Sequence, residues 1–227
     1  MIALIRYQAA MLLRGHRWIG PLLTYAVLLT FIGAGASQPL AAAVGWSAGM
    51  LVPAVAWLTR SALTAEPPAA RACVAAAGGP HRAHVAALLA ALAGGALLAL
   101  VGEAYELATS MLPHHHTAAG SAVDPGAVAS VLAAGLASAA VCLLVGSAIG
   151  VLCGPPLVRH HGYGTLATIG AVVLALVTSI SPANAALRGS GGTLAGPPWL
   201  TGLPLLAALA LTAVSWLASA LLAARRG

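Results

Sequence analysis

The feature that most limits this chain is its hydrophobic continuity. Six apolar runs follow one another with short connections between them, at residues 18–37, 40–62, 83–108, 126–153, 164–181 and 199–224. Each is about the 20 residues that span the hydrocarbon core of a bilayer. Soluble domains carry about 25% charged residues, whereas this chain carries 6%, with 60% hydrophobic side chains and a mean hydropathy of +0.96. The expected fold class is therefore an all-α integral membrane protein of six transmembrane helices. The spans, an interfacial segment at 1–17 and a polar loop at 63–82 account for residues 1–227 as one membrane domain, which leaves no length for a soluble nucleotide-binding or catalytic domain.

Charge sets the orientation. The chain has ten basic residues against four acidic ones, a net +6, and all ten basic residues are arginine. They are scattered between apolar runs, without the basic patch and interleaved aromatics of a nucleic-acid surface. Nine of them (Arg6, Arg14, Arg17, Arg60, Arg71, Arg82, Arg159, Arg225, Arg226) fall on one side of the expected spans and Arg188 alone on the other. Positive loops stay in the cytoplasm, so both termini are expected inside a bacterial plasma membrane. Along Met1 to Arg17, helical spacing gathers Arg6, Arg14 and Arg17 on one arc opposite Ile2, Ile5, Met11 and Leu12, the pattern of a helix lying on the inner leaflet. That arginine-bearing segment, with no convincing cleavage site after it, does not read as a signal peptide.

Several groups carry candidate chemistry. Gly45-Trp46-Ser47-Ala48-Gly49 fits the nucleophile pattern of serine hydrolases, but that serine requires a sharp strand-to-helix turn, and here it falls inside an apolar helix. The same Gly45 and Gly49 spacing, with Gly146 and Gly150 in the fourth span, suits close packing of helices in lipid. Glu103 and Glu106 lie three apart on one helical face and are read either as a solvated outer rim or as the acidic lining of an outward cavity. His114 to His116 and Asp124 belong to an outer loop; adjacent imidazoles rarely converge on one ion, so no metal centre is expected. Cys73, Cys142 and Cys153 are odd in number and read as free thiols. Between the second and third spans, Glu66 to Arg82 combines two prolines, an Ala-rich stretch from Ala69 to Ala77 and a Gly78-Gly79-Pro80 stop. It predicts one short surface helix.

The opening "LIRYQAAMLLRGHRW" with "PLLTYAVLL", then "AWLTRSALTAEPPAARACVAAAGGPHRAHVAALLAAL", resembles the permease subunits of ABC-2 type ABC transporters, and looks like the short actinobacterial members of that group. The resemblance implies an exporter in which two permease subunits pair, as homo- or heterodimer, above separate ATPase subunits that bind ATP and Mg²⁺, with no cofactor in this chain. It implies a connecting helix at Met1 to His16 and short outer helices from Asn184 to Leu203. It also implies a coupling element at about Glu66 to Gly79, with Glu66, Arg71, Ala75, Ala76 and Arg82 facing the ATPase. Spans one and five are expected to line the path between the permeases, with Trp46 and Trp57 nearer the interior or interface. Two other readings remain open: the substrate-binding membrane subunit of a vitamin-uptake transporter, and an intramembrane hydrolase using Ser47.

Overall fold

A computed structural model describes residues 1–33, 40–110, 125–155, 161–190 and 198–226, and all regular structure among them is helical. The helices are α1 (Ile2–Arg14), α2 (Ile19–Gly33), α3 (Leu40–Leu63), α4 (Pro68–Gly78), α5 (Pro80–Ser110), α6 (Pro125–Leu152), α7 (His161–Val177), α8 (Pro182–Ser190) and α9 (Pro198–Arg226). Four of them, α3, α5, α6 and α9, are long and apolar enough to cross a membrane. A fifth crossing arises if α7 and α8, bent by 44° at their break, act as one span. The 15 residues of α2 reach only about 22 Å at helical rise, short of the roughly 30 Å hydrocarbon core.

The centre of the bundle is α3, which packs against α2, α5, α6, α7 and α8. Its Leu51, Val52, Ala54, Val55 and Ala56 are fully buried. In lipid, apolar burial alone gives helices no reason to prefer one another, so close backbone approach has to supply the association. Glycine on α6 provides it. A Cβ on Gly146 would sit 2.8 Å from the Val52 carbonyl oxygen, and one on Gly150 would sit 2.6 Å from the Ala56 carbonyl oxygen and 2.7 Å from Thr59 Cβ. On α3, Gly45 and Gly49 are likewise buried, and Gly49 faces Leu187 of α8.

The strand of contacts down α2 gives its direction. Arg17 meets Thr64, Gly20 lies under Trp57, and the Tyr25 hydroxyl donates to the Ser47 carbonyl at 3.4 Å. Rising numbers on α2 meet falling numbers on α3, so the two helices run antiparallel. Trp46 and Trp57 are half exposed on α3 and not in the bundle interior.

Two expectations from the sequence are altered at the end of the chain. The segment after the fifth run has the Gly/Ser-rich composition of an outer loop, although the resemblance implies short outer helices over Asn184 to Leu203; its first part is the helix α8, with Ala183 buried and the Ala186 carbonyl accepting from Ser138 of α6. Asn184 Nδ2 donates to the Leu176 carbonyl, one of those left free where α7 stops, and that bond lets the chain bend there without an orphaned acceptor. The sequence also allows Pro204 to break the start of the last span, whereas α9 runs through it. Proline forfeits one backbone bond near the start of a long helix, and the remaining turns keep the ladder.

Candidate functional site

Two groups of polar residues stand out against this apolar background, one at each end of α3 and α5. The first is a corner where α1, α3 and α4 meet. The amphipathic α1 turns its Gln8 and Leu12 inward, and Gln8 Nε2 donates to Glu66 Oε2 at 3.2 Å, both side chains being buried. Arg17 Nη1 donates to the Thr64 carbonyl at 2.7 Å and to Thr64 Oγ1 at 3.2 Å. Arg71 donates to the Leu63 carbonyl at the C-terminus of α3, where a cation complements the helix dipole. Between α1 and α2 the chain turns at His16, whose φ of 54° puts a non-glycine residue in the left-handed region. Burial and the neighbouring Glu66 carboxylate hold the Tyr7 hydroxyl above its usual range.

This corner rearranges the roles expected for its residues. Glu66 is buried beneath α1 with Oε1 lacking a hydrogen-bond partner among the described residues, so it faces the chain itself. The Arg71 guanidinium is folded back onto α3. Ala76 and Arg82 are exposed, Ala75 is partly buried, and its carbonyl accepts the Gly79 N–H at 2.8 Å. The helix α4 begins at Pro68, with Pro67 as its N-cap, and ends at Gly78, with Gly79 as its C-cap at φ 84°, a conformation that suits glycine. Pro80 then opens α5, so the Gly78-Gly79-Pro80 stop is a single-residue joint between two helices. Cys73 on α4 is exposed, while Cys142 and Cys153 are buried.

The second group lies at the opposite end of the bundle. Glu103 and Glu106 of α5 are both 7% exposed, and neither oxygen of Glu103 has a hydrogen-bond partner among the described residues. These carboxyls point into protein, so the solvated-rim alternative does not describe them. Around them are Tyr25 of α2, whose hydroxyl sits against Gly102, and Gly135 of α6. A Cβ on Gly135 would lie 2.7 and 3.0 Å from the Glu103 oxygens.

Other expected sites are separate from both groups. Ser47 Oγ donates to the Val44 carbonyl within its own helix at 2.9 Å. Arg60 reaches Thr165 and Thr168 of α7 at 3.3 and 3.1 Å, bracing α3 against α7. His114 to His116, Asp124 and Arg159 lie outside the described residues. Among the described residues, no three of His, Cys, Asp and Glu converge as metal ligands.

Sequence reasoning passed over Gln8, Thr64, Tyr25 and Gly135. A signal existed for Gln8: it sits one turn before Leu12 on the inward face of α1, and an amide on an apolar face implies a buried partner. The other three pair with residues too distant in the chain for spacing to connect them. Compared with known family models, curated proteins and solved structures, the chain matches none.

Proposed function

We propose that this chain is the membrane-spanning permease subunit of an ATP-binding-cassette transporter, with six spans, both termini in the cytoplasm and a separate ATPase subunit docked at the α1–α4 corner. The observation that carries this reading is the corner itself. A short helix with an exposed face, α4, is held by Arg71 on the Leu63 carbonyl and by packing against α5 and Leu4 of α1, while Gln8–Glu66 and Arg17–Thr64 fix the connection that leads into it from α3, at the end of the bundle that carries most of the arginines. A surface helix braced on two sides can pass force from a soluble partner into the spans. A free loop cannot.

The six-span count takes α2, antiparallel to α3, as a crossing and α7 with α8 as one broken span. The pairing of two permeases, identical or not, is assigned to α2 and α7. Their exposed faces carry Leu23, Val27 and Phe31, and Leu166, Ile169 and Val173. Export follows from the resemblance alone. One observation favours the uptake-subunit reading instead, the buried polar group of Tyr25, Glu103 and Glu106, and cellular accumulation of substrate rather than its depletion would select it.

Affinity purification from the native membrane is expected to bring an ATP-binding subunit with the chain in fixed ratio. Recovery of the chain with no ATP-binding protein would sink the permease reading. Sidedness has its own test, because Cys73 is the exposed thiol of the three. A membrane-impermeant maleimide is expected to label wild-type protein only after cells are permeabilised, and labelling of intact cells at Cys73 would reverse the orientation.

A further inference from the structure

One face of the central helix is left open. From Val44 to Leu63 every residue of α3 is buried except Trp46, Met50, Pro53, Trp57, Arg60 and Ser61. At about 100° per residue these six share an arc of roughly 100°, so they form one stripe along the helix. The helices beside it are α2 and α7. Gly20 of α2 lies against the Trp57 ring, and Arg60 reaches across to Thr165 and Thr168 of α7. The stripe is the floor of a furrow with α2 and α7 as its walls.

The end of the furrow at the C-terminus of α3 is basic. Arg17 comes over from α2 onto Thr64, and Arg60 leans toward α7 one turn earlier on α3. Neither guanidinium pairs with a carboxylate among the described residues, and the chain has only four acidic residues to offer. Glu66 is turned under α1 onto Gln8, and Glu103 and Glu106 lie at the other end of the bundle. Asp124 adjoins the start of α6 in sequence, about 37 Å along that helix from Gly150, which packs beside Thr59. Arg60 also sits badly for a lone cation. Its charge suits the end of α3, but a Cβ on Gly164 would stand 2.7 Å from Nη2, so the guanidinium lies on the first turn of α7, the positive end of that helix. Both of its hydrogen bonds use Nη1.

We propose that this furrow binds one anionic phospholipid, with the phosphate between Arg17 and Arg60 and an acyl chain along Pro53, Met50 and Trp46. The phosphate supplies the charge that the fold lacks for both arginines, and the Trp57 ring stands at the depth where aromatic side chains meet the headgroups. A second copy of the chain fits the furrow less well, because it brings the same arginines and no exposed carboxylate among the described residues. Free phosphate shares the headgroup chemistry but leaves the apolar stripe uncovered. The lipid is a resident of the fold and not cargo, so the site does not depend on the permease reading.

The full chain, purified in detergent without any ATPase, is titrated with dioleoyl phosphatidylglycerol or dioleoyl phosphatidylcholine, and native mass spectrometry counts the lipid retained. One phosphatidylglycerol per chain is expected, held about tenfold or more tightly than phosphatidylcholine, since each arginine beside an anionic lipid is worth a factor of about five. Arg60→Gln and Arg17→Gln should each cut that preference about fivefold. Arg188→Gln, which removes an exposed charge on α8, should leave it unchanged. Inorganic phosphate at ten millimolar, roughly a thousandfold above a micromolar site, should not displace the lipid.

Equal retention of the two lipids by the wild type overturns the proposal, whether or not the variants fold. An undiminished preference in folded Arg60→Gln and Arg17→Gln proteins overturns it too, as the charge would then be read elsewhere. Displacement by inorganic phosphate would reassign the arginines to a soluble anion, and a lipid-free dimer would give the furrow to a second copy. Retained lipid together with failed ATPase co-purification would remove the permease reading and leave the site standing.

Discussion

Replacing Gly150 by leucine is expected to abolish recovery of folded protein, while Gly170→Leu leaves extraction and thermal stability almost unchanged. The contrast isolates packing, because both positions are glycines in apolar helices. At Gly150 the first added carbon would already stand 2.6 Å from the Ala56 carbonyl oxygen and 2.7 Å from Thr59 Cβ. Both are set by the α3 backbone and cannot rotate away. At Gly170 an added Cβ meets nothing within 4 Å. Overfilling a packed core with single methylenes costs about 1–3 kcal/mol. A whole leucine against backbone should exceed about 4 kcal/mol, enough to exhaust a typical margin of stability. Size-exclusion of detergent-extracted protein followed through a thermal ramp reads both variants, and a well-behaved peak from Gly150→Leu would show that α3 and α6 do not pack through this glycine.

The second large effect concerns coupling. On the permease proposal, Ala76→Glu is expected to lower association with the proposed ATPase subunit by roughly thirtyfold, the scale of a central interface position, with insertion and expression intact. The choice between Ala75 and Ala76 comes from the fold. Ala76 is exposed on α4, whereas Ala75 is partly covered and sits in the last turn, where its carbonyl receives the Gly79 N–H. A charge at 75 would disturb the helix end itself. A charge at 76 should act on the partner alone, read as loss of the ATPase from affinity-purified complex. Normal association and normal ATP-driven transport in this variant would remove α4 from the docking surface.

What the sequence made legible follows from length and from the physics of lipid. A run such as Gly126 to Leu152 has no other structure open to it than a helix, since nothing in hydrocarbon can satisfy its backbone. The surface helix α4 was readable from its prolines, alanines and closing glycines, all of which act locally. The helix α8 was not, because Pro182 to Ser190 is short and mixed in polarity, and it is ordered by α3, α6 and α9 rather than by its own pattern. The acidic group shows the same divide. That Glu103 and Glu106 share a face follows from their spacing. That the face turns into protein, against Tyr25 and Gly135, depends on which helices pack where. Gln8 and Glu66 are separated by 58 positions, and no periodicity spans that distance.

The joint at Gly79 carries a mechanical consequence. Its backbone, at φ 84° and ψ 140°, is the single-residue link in the chain between the surface helix α4 and the 31 residues of α5, which also pack against each other. Glu103 stands about 35 Å from it along that rod, at 1.5 Å of rise per residue. Rocking the rod by roughly 5° about that pivot would sweep the carboxyl through about 3 Å, the length of a hydrogen bond. A motion too small to disturb the packing at Gly78, beside Leu4, would then be large enough at the far end to make or break a contact. The arrangement is a lever with its short arm at the α1–α4 corner and its load at the opposite end of the bundle.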